Sequence, residues 1–290
     1  MSAGPSSPAS SSAHGLPTGL PDPLPIEVVD NHVHLDIGRD GAQPLDVDEA
    51  IRRARAVGVT RLVQVGCDLD AIDFTLAAVE RHPEVLGAVA LHPNEVPKLA
   101  SAGTLSAAYD IVERAAAHDR VRAVGETGLD YYRTGPEGVA AQHEGFRWHI
   151  DLAKRLGKAL QIHDRDAHAD VLRILAEEGA PDRTVLHCFS GDLQMARECV
   201  ERGYYLSFAG TVTFKNARAL RDALTATPLS QVLVETDAPY LTPSPHRGAT
   251  NASFLVPHTI RAMAGTLNVD VPTLCTAVSD NSERVYGPWS

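Results

Sequence analysis

The sequence predicts an α/β fold, a closed (β/α)8 barrel. Eight short β-branched runs alternate with longer stretches of helical spacing. The runs are nearly continuous in apolar residues, as parallel strands buried on both faces require. The segment after the first run, "DNHVHLDIGRDG", lacks the G-x-G-x-x-G loop that an open doubly wound sheet usually carries there. A chain of 290 residues, 44% of them hydrophobic, is long enough for one such barrel.

The strand candidates are 26–34 "IEVVDNHVH", 61–66 "RLVQVG", 85–91 "VLGAVAL", 121–126 "VRAVGE", 159–163 "ALQIH", 184–189 "TVLHCF", 204–208 "YYLSF" and 231–236 "QVLVET". Amphipathic segments lie between them, such as 45–58, 143–157 and 166–179, several ending on a glycine that stops a helix. Two further helical segments, near 254–267 and 272–285, close the chain. The barrel domain is expected over 26–290. Residues 1–25 are mostly Ser, Pro, Gly and Ala with the single charge of Asp22, and read as a disordered tail.

That tail has no basic start and apolar core, so it does not read as a secretory signal, and no apolar run is long enough to span a bilayer. The four cysteines, Cys67, Cys188, Cys199 and Cys275, form no C-x-x-C pair and read as reduced cytoplasmic thiols. A formal net charge of −11 argues against a basic surface for duplex DNA. It does not exclude a phosphate-bearing substrate, because bound metals reverse the sign locally.

In a barrel of this kind, chemistry sits at the C-terminal ends of strands. Those ends carry His32 and His34, Glu126, His163, His187 and Asp237. One residue separates His32 from His34, so strand alternation points both imidazoles to one side. Each residue alone has a structural alternative: a hydrogen-bonded core histidine, or a carboxylate capping a helix. Together on one rim they would crowd polar groups that are costly unless something binds them. Four imidazoles and two carboxylates exceed what one tetrahedral Zn²⁺ needs and suit two divalent ions about 3.5–4 Å apart. Glu126 comes from the strand opposite His32 and His34 and would reach both ions. No lysine ends the fourth or fifth strand to serve as a carboxylated bridge.

The stretches "DNHVHLD", "LHPNE", "GETGLDYY", "QIHDRDA", "HCFSG", "ETDAPYL", "RGATN" and "NSERVYG", in that order, resemble the TatD family of metal-dependent deoxyribonucleases, a branch of the amidohydrolase-type barrels. The resemblance implies a two-metal barrel that hydrolyses phosphodiester bonds of DNA. It implies that His32, His34 and Asp237 hold one ion (Mg, Mn or Zn), that His163 and His187 hold the other, and that Glu126 bridges them. One departure stands out: the family usually continues "RGATN" with an acidic residue and a proline, where this chain has Ala252 and Ser253. That puts the shape of a loop near the site in question.

On this reading the ions bring a water toward ionisation at neutral pH, and Asp237 shuttles its proton. Arg165 would neutralise a phosphate oxygen or pair with Asp166 or Asp170. His92 would line the mouth or simply precede Pro93 in a turn. Tyr131 and Tyr132 would stack a base, at least one of them packing under the next loop. Arg247 and Asn251 would grip a nucleic-acid backbone or brace their loop. Cys188, next to His187, is expected to face the helices as core. The expected substrate is single-stranded or frayed DNA, cleaved as by a 3′–5′ exonuclease, with no obligate protein partner. The alternatives are a metal-dependent hydrolase of an ester, amide or aminoacyl bond, and a barrel that binds without catalysis.

Overall fold

The computed structural model describes residues 15–289. Eight parallel strands stand in sequence order: β1 (Val28–Val33), β2 (Val59–Gly66), β3 (Val85–Val89), β4 (Val121–Asp130), β5 (Ala159–Arg165), β6 (Thr184–Leu186), β7 (Tyr205–Phe208) and β8 (Val232–Val234). Around them run α1 (Val47–Arg55), α2 (Leu69–Arg81), α3 (Val96–Ser101), α4 (Leu105–Ala116), α5 (Pro136–Leu156), α6 (His168–Glu178), α7 (Leu193–Glu201), α8 (Arg218–Ala226), α9 (Val256–Leu267) and α10 (Val271–Tyr286). Asp46, Asp68, Asp192 and Asp270 cap α1, α2, α7 and α10 by accepting a backbone N–H of the first turn. Helix α5 starts before the expected residue 143 because Pro136 occupies its first position, where no N–H is needed.

The circle closes between β8 and β1, largely through side chains. Val33 bridges Ala238, and the buried Asp30 carboxylate accepts Thr236 N–H at 2.9 Å and its hydroxyl at 2.6 Å. Asn31 Nδ2 donates to Val234 O at 2.8 Å. These bonds replace the ladder that β8, three residues long, is too short to supply.

Two apolar layers result. Val29, Val63, Leu86, Ala123, Ala159, Val185 and Leu233 fill the barrel interior, and the alternate positions pack outward against the helices. The lower end of the interior is filled from α10, where Tyr286 is buried and its hydroxyl accepts from Gln161 Nε2 at 2.6 Å.

Of the expected tail, residues 1–14 lie outside the described residues. Residues 15–25 run against the barrel: Leu24 is buried and its N–H donates to Val57 O at 3.0 Å, while Arg53 donates to Pro17 O at 2.8 Å. Among the described residues no helix is long and apolar enough to cross a membrane.

Candidate metal centre

Two β-bulges aim the central side chains. On β1, Asp30 pairs with Leu62 but Val33 pairs with Gln64, so one extra residue is inserted. Without it, Val29, Asn31 and Val33 would all point inward. With it, Val33 and Leu35 turn out to pack with Ala50 and Ile51 of α1, and His32 and His34 turn into the mouth. On β4, Val124 pairs with Leu160 but Thr127 pairs with Ile162, and the extra residue delivers Glu126 to the same place. Gly125 makes this possible, since a Cβ there would lie 2.5 Å from Gln161 Cβ. Asp237 takes a left-handed φ of 54°, its N–H donating to His32 O at 3.0 Å.

The six residues expected at the strand ends come together. The Nε2 atoms of His32 and His34 are 3.3 Å apart. Glu126 Oε2 lies 3.6 Å from His32 Nε2 and 3.8 Å from His34 Nε2. Asp237 Oδ1 lies 3.9 and 3.6 Å from the same two atoms. The other oxygen, Glu126 Oε1, lies 2.5 Å from His163 Nδ1 and 2.8 Å from His187 Nε2. One carboxylate thus divides its oxygens between two histidine pairs.

In three of the four rings the remaining nitrogen faces an oxygen. His34 Nδ1 is 3.0 Å from Val65 O, a group that only accepts, so Nδ1 carries the proton and Nε2 offers its lone pair to the centre. His187 Nδ1 faces Glu235 Oε1 at 3.1 Å, and His163 Nε2 faces Asp130 Oδ2 at 3.4 Å. Metal-ligating histidines are held this way through the nitrogen that does not ligate. His32 Nδ1 is buried with no hydrogen-bond partner, and the ring stacks on His187 with centroids 3.8 Å apart.

The charges are tightly coupled. Burial opposes ionisation of Glu126, yet His187, His92 and His163 hold its carboxyl well below the ordinary range. Burial likewise works against a charged His34, but Asp237 and Glu126 outweigh it and raise the imidazole to about 9. His187 is raised well above the usual value against its burial, by Glu126 and Glu235. Protons here do what a cation would do better: they neutralise carboxylates shut away from water. Imidazole nitrogens converging on a shared carboxylate fit divalent ions of the Zn, Mn, Fe or Co type by donor chemistry.

Three groupings have ligand atoms close enough to hold an ion: His32, Glu126 and His187; His32, His34 and Asp237; His92, Asp130 and His163. The third does not suit one. His92 Nδ1 accepts Asn94 N–H at 3.1 Å, which leaves the ring proton on Nε2, the atom facing the centre. Asp130 is already engaged by Tyr132 N–H and Arg133 N–H through Oδ1 and by Asn94 Nδ2 through Oδ2. We assign it to holding His163.

The outer candidates scatter. His92 does line the mouth, its Nε2 3.6 Å from Glu126 Oε1. Arg165 makes no ion pair with Asp166 or Asp170; its guanidinium lies 4.1 Å over the Tyr132 ring. The Tyr131 hydroxyl donates to Asp170 at 2.6 Å and meets His143 at 2.5 Å, so this ring packs under the loop while Tyr132 is exposed. Asn251 is buried and spends its amide on Thr236 O and Tyr240 O, bracing the loop. Arg247 stands 4.0 Å over Phe214 at the surface. The Ala252–Ser253 departure falls in a buried turn, where Phe254 packs under Arg53 of α1.

Cys188 corrects the sequence expectation. Strand β6 ends at Leu186, so alternation no longer applies; Cys188 has φ 42°, is only partly buried, and gives its N–H to Glu235 at 2.8 Å. Sequence reasoning passed over Glu235 and Asp130. Glu235 was legible, because it lies in the expected strand 231–236 two residues after Leu233, and alternation puts it on the same inner face.

A (β/α)8 barrel with a histidine–carboxylate centre at its C-terminal mouth is an architecture suited to metal-dependent hydrolysis. The family model described as TatD related DNase matches residues 29–287. The chain is 48% identical over 265 residues to an uncharacterized metal-dependent hydrolase TatD of Mycobacterium tuberculosis, covering 90% of this chain and 98% of that one. It is 38% identical to the uncharacterized metal-dependent hydrolase YcfH of Escherichia coli K12, covering 89% and 95% of the two chains. The crystal structure of YjjV, a TatD homologue of Escherichia coli, superposes with a TM-score of 0.78 at 25% identity, covering 90% of this chain and 98% of that one. The chain belongs to the TatD family.

Proposed function

We propose that this hydrolase is a two-metal deoxyribonuclease acting on single-stranded or frayed DNA ends in the 3′-to-5′ direction. The observation that carries the two-metal part is the division of Glu126: Oε2 faces His32 and His34, and Oε1 faces His163 and His187. On this reading His32, His34 and Asp237 would hold one ion, His163 and His187 would hold the other, and Glu126 would serve both. The family description, TatD related DNase, supports DNA as the substrate.

When bound, two divalent ions supply Lewis acidity toward a phosphodiester oxygen and lower the pKa of a water toward neutrality. The chain's residues do the rest. Asp237, partly open to the mouth at 15% side-chain exposure, takes the proton of the attacking water on its carboxylate. Glu235 and Asp130 keep the His187 and His163 rings from turning. His92 points its Nε2–H at the centre and donates to a phosphate oxygen.

Four acids surround the mouth, Glu126, Asp237, Asp130 and Glu235, and the chain carries a net −11. An anionic substrate therefore binds only to the metal-loaded protein. Four free thiols suit a reducing cytoplasm.

The test is degradation of an end-labelled single strand by protein stripped with chelator and reloaded with Mn²⁺, Mg²⁺ or Zn²⁺. Hydrolysis should require the metal and fall by about a thousandfold or more in E126A and D237A, the scale on which metal-generated nucleophiles act. Full activity in both variants, or turnover of an ester or amide panel but no DNA, overturns the reading.

A further inference from the structure

Above the centre, on the β4–β5 side, stands a composite surface that the metal chemistry does not use. Tyr132 is 66% exposed, the most open large hydrophobic side chain among those described. The Arg165 guanidinium covers one face of its ring at 4.1 Å, and no carboxylate pairs with Arg165 among the described residues. An exposed aromatic ring backed by an unpaired cation is an arrangement without a partner on its other face.

The platform is fixed to the centre. Arg165 and His163 are both on β5, two residues apart, so they share a face, and Arg165 stands about 7 Å along the strand from His163. Across the sheet Asp130 pairs with Arg165 and Gly128 with His163. Asp130 Oδ1 accepts Tyr132 N–H at 3.0 Å and Arg133 N–H at 2.8 Å, while its Oδ2 faces His163 Nε2 at 3.4 Å. Tyr131 N–H donates to Arg165 O at 2.9 Å, and its hydroxyl is locked to Asp170. One carboxylate thus positions both a histidine of the centre and the backbone beneath the exposed ring.

We propose that Tyr132, backed by Arg165, is a stacking subsite for one unpaired nucleobase adjacent to the scissile phosphodiester. This rests on the nuclease reading above and adds what that reading lacks, a reason for preferring single strands. A base in a duplex has both faces stacked on its neighbours and cannot lie on the ring. An unpaired base can, and stacking is indifferent to which base it is. The cation behind the ring adds a cation–π contribution and attracts the flanking phosphate. The predicted specificity is therefore for unpaired ends without sequence preference.

The experiment is a double-mutant cycle on metal-loaded protein. Single-stranded oligonucleotides carry a tetrahydrofuran abasic residue at each of the last three positions in turn, and KM and kcat are measured for wild type, Y132A and Y132F. In wild type one abasic position should raise KM about tenfold, the worth of one base–aromatic stack, with kcat little changed. Y132A should raise KM for the intact strand by a similar factor, lose the abasic penalty at that position, and keep its metal content. Y132F should behave as wild type. Equal abasic penalties in wild type and Y132A, or an unchanged KM in Y132A, overturn the subsite and leave the nuclease reading standing. No hydrolysis of any strand by loaded wild type overturns both.

Discussion

Glu235 is 0% exposed; its Oε1 lies 3.1 Å from His187 Nδ1 and accepts the Cys188 N–H at 2.8 Å. A carboxyl buried that deeply holds the imidazole in the Nδ1–H form and raises the basicity of Nε2. E235Q keeps the shape but not the charge, and should weaken divalent metal binding about 10–100-fold without unfolding the barrel, measured by competition with a chromogenic chelator. His34 yields a pH prediction of definite sign. In the metal-free protein its imidazole is raised from 6.5 to about 9, so the stabilisation it draws from Asp237 and Glu126 is complete below about 6.5 and lost as pH rises through about 9. A metal must displace that proton. Metal-free protein should melt at lower temperature as pH climbs from 6.5 to 9, while metal affinity climbs over the same window, by about tenfold per unit for one proton displaced. Parallel trends in the two measurements would contradict the assignment of His34 as a ligand.

At the scale of elements, the centre depends on two irregular strands. The β4 bulge needs Gly125 because the Gln161 side chain crosses the interior there, its Nε2 donating to Asn31 O at 2.9 Å. G125A inserts a methyl group into that crossing. We expect a loss of about 1–3 kcal/mol in stability, the usual result of overpacking, together with weaker metal binding, because β4 must shift and carries Glu126 with it. Thermal melting and metal titration on the same preparation check both halves. The β1–β8 closure raises a related issue. Asp30 is pushed up to about 6 by its burial, against the hydrogen bonds from Thr236. Its ionised form is costly above that pH, so this group contributes a rise in stability as pH falls from about 6 toward 4.

For the whole molecule, the two ends of the barrel divide labour. The upper end holds polar side chains in a mouth, and the lower end is sealed by the chain's last helix. Tyr286 is 1% exposed inside the strands, and Trp289 below it donates its indole N–H to Glu84 O at 3.1 Å. Y286A should cost about 3–5 kcal/mol, as large aromatic deletions from a core do, and leave metal affinity nearly unchanged when measured below the melting transition. A large fall in metal affinity in the folded variant would show that the two ends are coupled through Gln161.

The eight-fold alternation was legible in the sequence because it follows from backbone periods of two and 3.6 residues, which operate over a handful of neighbours. So were the six residues of the centre, since barrel geometry gathers strand ends whatever lies between. His32 and His34 share a face by local alternation alone. What alternation could not supply was which face: the inserted residue on β1 reverses the sense set by Val29, and a bulge leaves no mark in local periodicity. The division of Glu126 between two histidine pairs, the pairing of Asp130 with His163 and Glu235 with His187, and the lone exposure of Tyr132 beside a packed Tyr131 likewise emerged only in three dimensions. Each is a distance between side chains on different strands, and such distances are set by register, which the packed barrel as a whole determines.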